Sequence, residues 1–146
     1  MKYSTIIIDW KQTLYDPDSD NLIDGAIELL ELLQSLNSKL YLVGKGDVVM
    51  SKVVETLGVK KYFNDVLFVG NEKEPNHFNI FMKEDPKNTL IIGDKLSSEI
   101  ELGNRLGATT YQVRQGKFAA EEPQNEFQKP NKVFKNLKEL AEYFAS

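Results

Sequence analysis

Two acids in this chain each close an apolar strand. Asp9 directly follows Ile6-Ile7-Ile8, and Asp94 follows Thr89 to Ile92 through Gly93. A run of β-branched residues that stops at an acid reads as a buried parallel strand meeting its ligand edge. In an open α/β sheet, ligands bind beyond the carboxyl ends of the strands. Asp9 therefore stands where a nucleophile or a metal ligand is expected. Glu99 follows Asp94 by five residues. Lysines fall at the matching strand ends: Lys11 after the first strand, Lys45 beside Gly44 after the second, Lys73 after the third, Lys95 after the fourth. Carboxylates can attack an electrophile or hold a cation. Ammonium groups beside them can neutralise an anion.

The elements that must position these groups follow from apolar spacing. Tyr3 to Asp9 is the first strand. Asp24 is expected to cap a helix with Ile27, Leu30, Leu33 and Leu36 on its inner stripe. Leu40 to Val43 is the second strand. Asp47 is expected to cap a second helix, with Val49, Val53 and Leu57 inward and Gly58 as its stop. Val66 to Val69 is the third strand, and Pro75 suits the first turn of a third helix. Thr89 to Ile92 and Thr109 to Val113 are strands four and five. Arg114 to Asn131 is long and polar, carries Pro123 and Pro130, and is expected to be the most mobile stretch. Val133-Phe134 adds a short extended piece before a last helix with Leu137, Leu140, Ala141 and Phe144 on one face.

Alternation of strand and helix predicts an α/β fold: a three-layer sandwich with helices on both faces of a parallel, Rossmann-like sheet. Five strands are expected, six if Val133-Phe134 joins. The 146 residues fit one domain, 1–146. Hydrophobic content is 41%, and the longest apolar run near the start is Ile6 to Ile8, so neither a membrane span nor a signal segment is expected. The chain has no cysteine, which excludes disulfides and thiolate metal sites and points to a reducing cytoplasm. A net charge of −4 argues against nucleic-acid binding by bulk charge. His77 is the one histidine, so a multi-histidine metal site is excluded. Asp16, Asp18 and Asp20 alternate like the opening of a calcium loop, but Asn21 holds its glycine position and Ile27 its bidentate acid position. That segment reads as a solvated turn.

The strand-end residues together resemble the haloacid dehalogenase superfamily, whose members are mostly Mg²⁺-dependent phosphatases. Ile6-Ile7-Ile8-Asp9, with Thr13-Leu14 after three residues, resembles its first motif. Gly93-Asp94, then Glu99-Ile100, Gly103 and Leu106-Gly107, resembles its fourth. Lys73-Glu74-Pro75 stands near the lysine of its third. The resemblance implies a sheet order of 3-2-1-4-5 and an aspartyl-phosphate formed on Asp9. It implies Mg²⁺ held by Asp9, Asp94 and Glu99, and neutralisation of the nucleophile and phosphoryl oxygens by Lys73. Gly44 and Lys45 fall at the substrate-binding positions. No cap domain fits, since only a turn and a helix separate strands one and two. Capless members often act on macromolecules or oligomerise to close the site, so the expected partner is a phosphorylated small molecule or protein, or a second copy of the chain.

Three positions depart from the family pattern. Lys11 takes the place of the general acid two residues after the nucleophile, and an ammonium shuttles no proton near neutral pH unless its pKa falls several units. Gln12 replaces the tight-turn glycine. Gly44 replaces the Ser or Thr whose hydroxyl binds phosphate. These departures favour a reading in which the phosphatase site is eroded and the protein acts by binding or regulation. Lys11 would then be the counter-ion of Asp9 and Asp94, taking the metal's place, with Mg²⁺ bound weakly. The alternative is an active Mg²⁺-dependent phosphoric monoester hydrolase. A signalling receiver domain would need an acid ending strand three, where Gly70 stands. A dinucleotide site on Gly44-Lys45-Gly46 would lack its third glycine.

Overall fold

The computed structural model describes residues 3–146. The first strand, β1, covers Thr5–Ile8 and is buried along its whole length. A small antiparallel hairpin follows, β2 Tyr15–Asp16 with β3 Asn21–Leu22. Helix α1 is Ala26–Ser35, β4 is Lys39–Lys45, and α2 is Val48–Thr56. Strand β5 is Asp65–Val69, α3 is Pro75–Asn79 and β6 is Thr89–Gly93. A π-helical turn at Leu96–Ile100 leads into α4, Glu101–Arg105. Strands β7 Thr109–Val113 and β8 Lys132–Phe134 and helix α5 Leu137–Ala145 complete the order.

Six strands form one parallel sheet in the order β5-β4-β1-β6-β7-β8. Once the hairpin strands are set aside, the first five follow the expected order with β1 central. Val133-Phe134 adds the sixth at the edge beyond β7, paired through Gln112↔Val133. Centrality explains why β1 is apolar on both faces. Ile6 and Ile8 face one cluster, with Trp10, Leu29, Leu30, Leu33, Leu137 and Leu140. Ile7 faces the other, with Val43, Phe78, Phe81 and Ile91. Each such isoleucine contributes roughly 1.5–3 kcal/mol on burial. Among the described residues no cap domain lies between β1 and β4 or between β4 and β5. No helix is long and apolar enough to cross a membrane.

Local expectations fare unevenly. Asp47 caps α2 through its side chain, accepting from the backbone N–H of Val49 at 2.9 Å. Pro75 opens α3. Asp24 does not cap α1: that place belongs to Gly25 at φ +91°, where a Cβ would press on Leu137 and the Lys138 nitrogen at 3.3 Å. The buried face of α1 is accordingly Ala26, Leu29, Leu30 and Leu33, and Ile27 turns outward. On α2, Val54 is the buried residue while Val48 and Val49 are exposed. The segment read as a solvated turn, Tyr15 to Asn21, contains the hairpin.

The long polar stretch 114–131 is pinned along its length. Gln115 Nε2 donates to the Thr13 carbonyl at 3.0 Å. Glu121 accepts from the Leu96 nitrogen at 2.7 Å, and Gln128 Nε2 donates to Glu101 at 2.8 Å. Asn104 Nδ2 donates to the carbonyls of Phe127 and Lys129.

Candidate active site

Parallel pairing of β1 with β6 sets Ile8 opposite Ile92, so the residues just after each strand meet on one edge. Asp9 and Asp94 are there, 7% and 2% exposed. A tight turn follows Asp9, in which the Trp10 carbonyl accepts from the nitrogens of Thr13, Leu14 and Tyr15. The turn swings Thr13 back over the acids. Its hydroxyl bridges Asp9 Oδ2 at 3.0 Å and Asp94 Oδ1 at 3.1 Å. Having one proton, the hydroxyl donates to one carboxylate at a time. Thr13 is thus a residue of the site. Its sequence signal is a hydroxyl four residues after a strand-ending acid.

Glu99 reaches the same edge by folding back. The π-helical turn carries Ser98 at φ −120°, ψ −108°, outside helical values. Glu99 Oε1 accepts from the backbone nitrogens of Asp94 and Lys95, both at 3.1 Å. Gly93 permits this, because a Cβ there would overlap the Glu99 side chain. Glu99 Oε2 accepts from Lys73 Nζ at 3.2 Å, and Lys73 also donates to Asp9 Oδ1. Both oxygens of Glu99 are therefore engaged, and it holds the turn and the lysine in place.

Charges follow from this packing. Burial pushes the Asp94 carboxyl up to about 10, with the charges of Asp9 and Glu99 adding to it. Asp9 is raised as well, by burial and by Glu99, against the pull of Lys73. Glu99 is opposite in sign: burial would raise it, but Lys73 and the backbone N–H groups bring it down to about 2. Lys73 is held charged by Asp9 and Glu99 in spite of its burial. The cluster thus carries Glu99 ionised, Lys73 charged, and a proton on Asp94 near neutral pH.

Oxygens of Asp9, Asp94 and Glu99 lie within 4.8 Å of one another. Asp94 Oδ2 is buried without a hydrogen-bond partner. A buried carboxyl oxygen left without a partner beside a second carboxyl group becomes, once its proton is displaced, the donor set of a hard divalent cation such as Mg²⁺. The residues fit that ion, and Asp9 and Asp94 would hold it.

Lys11 does not take the metal's place. Among the described residues its ammonium pairs with no carboxylate, and its backbone pairs with Tyr15 in the turn. The counter-ion of Asp9 is Lys73 and not the expected Lys11, because the chain after β5 delivers the Lys73 side chain into the acids while Lys11 leaves the turn half-buried. Lys45 is exposed at the end of β4. Gly44 is buried, and a Cβ there would stand 2.8 Å from Trp10 Cβ and from Phe68 Cε1. The missing hydroxyl is therefore coupled to Trp10, which is fully buried, stacks on Tyr15 at 5.2 Å and meets Phe68 edge-on at 6.4 Å. Gln12 adopts φ +66°, the left-handed backbone that glycine would take without strain. Its side-chain oxygen accepts from the Lys117 nitrogen at 3.3 Å, so the loop after β7 holds it. A groove of about 450 Å³ between α2 and β5 shares no residue with the carboxylates.

Known proteins resemble this chain in sequence and in fold. A curated relative, glyceraldehyde 3-phosphate phosphatase of Methanopyrus kandleri, is 31% identical over 101 residues. That match spans 58% of this chain and 42% of the relative, less than half its length. The HAD-hydrolase YfnB of Bacillus subtilis, bound to magnesium, superposes with a TM-score of 0.72 at 26% identity, over 87% of this chain and 57% of that one. The haloacid dehalogenase-like protein SP0104 of Streptococcus pneumoniae gives 0.76 at 15% identity over 97% and 98% of the two chains, a likeness of fold. The HAD-hydrolase-like family model matches residues 43–140, and with it this chain belongs to the HAD-like hydrolases.

Proposed function

We propose that the protein is a Mg²⁺-dependent phosphomonoester hydrolase that uses Asp9 as its nucleophile. The observation that carries this is the buried, unpartnered Asp94 Oδ2 beside Asp9. A desolvated carboxyl oxygen without a partner costs roughly 1–3 kcal/mol, and a cation that displaces the Asp94 proton would offset that cost. Bound Mg²⁺ would offset the repulsion between the carboxylate and the phosphate and polarise a phosphoryl oxygen.

In this reading Thr13 orients Asp9 through Oδ2 and Lys73 through Oδ1, leaving the carboxylate aimed by two donors. An Asp9 oxygen bonds to phosphorus as the ester P–O bond breaks, and the leaving alkoxide takes a proton from water. Water then attacks the aspartyl-phosphate, releasing inorganic phosphate and restoring Asp9. Lys73 stays charged throughout and faces the phosphoryl oxygens. Lys11 supplies no acid at the leaving group, so esters of acidic alcohols such as phenols are the favoured substrates. The substrate is a phosphorylated small molecule or protein, and a reducing cytoplasm suits a chain without cysteine.

The second reading is a binding protein that has lost turnover, and Lys11 with Gly44 favours it. Turnover of 4-nitrophenyl phosphate, with and without Mg²⁺, separates the two. The expected result is hydrolysis that needs Mg²⁺ and is lost in Asp9→Asn. Mg²⁺ binding without any turnover would give the second reading precedence.

A further inference from the structure

A second cationic feature lies beside the carboxylates and has no part in holding them. The loop after β7 packs onto the turn that carries Thr13. Gln115 Nε2 donates to the Thr13 carbonyl, the Lys117 nitrogen donates to Gln12, and a Cβ on Gly116 would stand 2.6 Å from Gln12 Oε1. This docking sets Phe118 beside Lys95, the residue immediately after Asp94. Lys95 Nζ lies 4.7 Å from the Phe118 ring centroid and Lys117 Nζ lies 5.5 Å from it. Two ammonium groups share one aromatic ring. Among the described residues neither pairs with a carboxylate. Glu121, the acid closest in the chain to this loop, is committed to the Leu96 nitrogen at 2.7 Å and the Ser97 hydroxyl at 3.1 Å. Arg114 is paired with Glu122 at 3.1 Å.

Cation–π contact holds each ammonium against the ring but neutralises neither. Like charges gathered this way repel, and the arrangement is relieved by an anion between them. The chain as a whole is acidic, at −4, so these two ammonium groups without a carboxylate partner run against its overall charge. Lys95 is tied to the metal-binding turn by its own backbone, whose nitrogen donates to Glu99 at 3.1 Å. Lys95 directly follows Asp94 in the chain, so an anion held by Lys95 and Lys117 is placed to be part of the molecule whose phosphate meets Asp9.

We infer that Lys95, Lys117 and Phe118 form a specificity subsite for a second anionic group, so that the substrate is a phosphate ester bearing a further phosphate or carboxylate. This rests on the phosphomonoesterase reading for the first phosphate. The ring of Phe118 supplies a flat apolar contact for the carbon chain between the two groups, and the ammonium pair supplies the charge. Among the described residues no cap domain covers the site, and this loop is the element placed to read the substrate beyond its reacting phosphate.

Calorimetric titration of the Mg²⁺-loaded protein tests it with three probes: propyl phosphate, 3-phosphonooxypropionate and propane-1,3-bisphosphate. The expected result is that one or both of the probes with a second anionic group bind at least about tenfold more tightly than propyl phosphate, a step of about 1.4 kcal/mol. In Lys95→Met/Lys117→Met that ratio should fall to near one. Preference for the bisphosphate alone assigns a phosphate to the subsite, and preference for both assigns any anion. Equal affinity for all three in the wild type, or a preference that survives the double substitution, overturns the inference. Hydrolysis of the same probes is measured in parallel. Absence of turnover with the binding preference intact would count against the hydrolase reading and not against the subsite.

Discussion

Gly44 and Trp10 occupy one another's space: a Cβ on Gly44 would stand 2.8 Å from Trp10 Cβ. The glycine that removes the family's phosphate-binding hydroxyl is thus the partner of the indole that follows the nucleophile. Gly44→Ser alone should destabilise the protein by about 1–3 kcal/mol through overpacking. The Phe68 ring lies 2.8 Å (Cε1) and 3.2 Å (Cδ1) from the same point, so Gly44→Ser should cost less in a Phe68→Leu background than in the wild type. Urea unfolding of Gly44→Ser in the two backgrounds checks this, and a single Gly44→Ser with wild-type stability would refute the coupling.

Lys73 holds Asp9 and Glu99 together in the buried site. Lys73→Met leaves those carboxylates without a cation and should cost about 3–5 kcal/mol in the metal-free protein. Acid should relieve part of the loss by protonating a carboxylate. Denaturation in chelator at pH 5 and pH 8 reads both effects. Lys11→Met, by contrast, should cost less than about 1 kcal/mol, since its charge has no carboxylate partner.

Asp94 gives the metal-free protein a pH dependence of definite sign. Burial, with the charges of Asp9 and Glu99, pushes its folded carboxyl up to about 10, far above the ordinary carboxylate range. The folded state therefore holds a proton that the unfolded state has lost, and stability falls as pH rises across that window. Thermal melts in chelator should decline from pH 6 to pH 9. Asp94→Asn should flatten that decline, raise stability by roughly 0.5–2 kcal/mol at pH 8, and abolish Mg²⁺ binding. In the wild type, Mg²⁺ binding near pH 7 should release a proton, measurable as a buffer-dependent calorimetric enthalpy.

Without an acid two residues after Asp9, the rate of ester cleavage should depend steeply on the leaving group. Across a series of aryl phosphates, kcat/KM should fall as the pKa of the phenol rises. Lys11→Asp should make that slope shallower, raising turnover of the poorest leaving groups by roughly 10²–10⁴-fold. A shallow slope in the wild type would mean that another group donates the proton.

Amide exchange along 114–131 should be slower at residues 115–117 and at 128 than a free loop of that length allows. Gln115, Lys117 and Gln128 are tied to β1's turn and to α4 by hydrogen bonds. Exchange there as fast as at exposed chain ends would refute the anchoring.

Apolar periodicity along the chain determined the strands and the edge on which Asp9, Asp94, Glu99 and Lys73 meet, and the apolar run Ile6 to Ile8 together with the family resemblance put β1 at the centre. Those features depend on burial, which each residue's own character reports. The strand ends were legible because a parallel sheet puts every carboxyl end on one side. Three things were decided only by tertiary contact. The cation that meets Asp9 is Lys73, 64 residues away, not Lys11, because ion pairing depends on side-chain reach and not on sequence distance. Thr13 became the bridge between two acids because the turn after Asp9 folds it back over β6. The stretch 114–131 looked unanchored because its partners, Gln12, Thr13, Leu96, Glu101 and Asn104, belong to other segments of the chain. Polar residues declare no partner in sequence; their hydrogen bonds exist only once the fold has brought the donors and acceptors together.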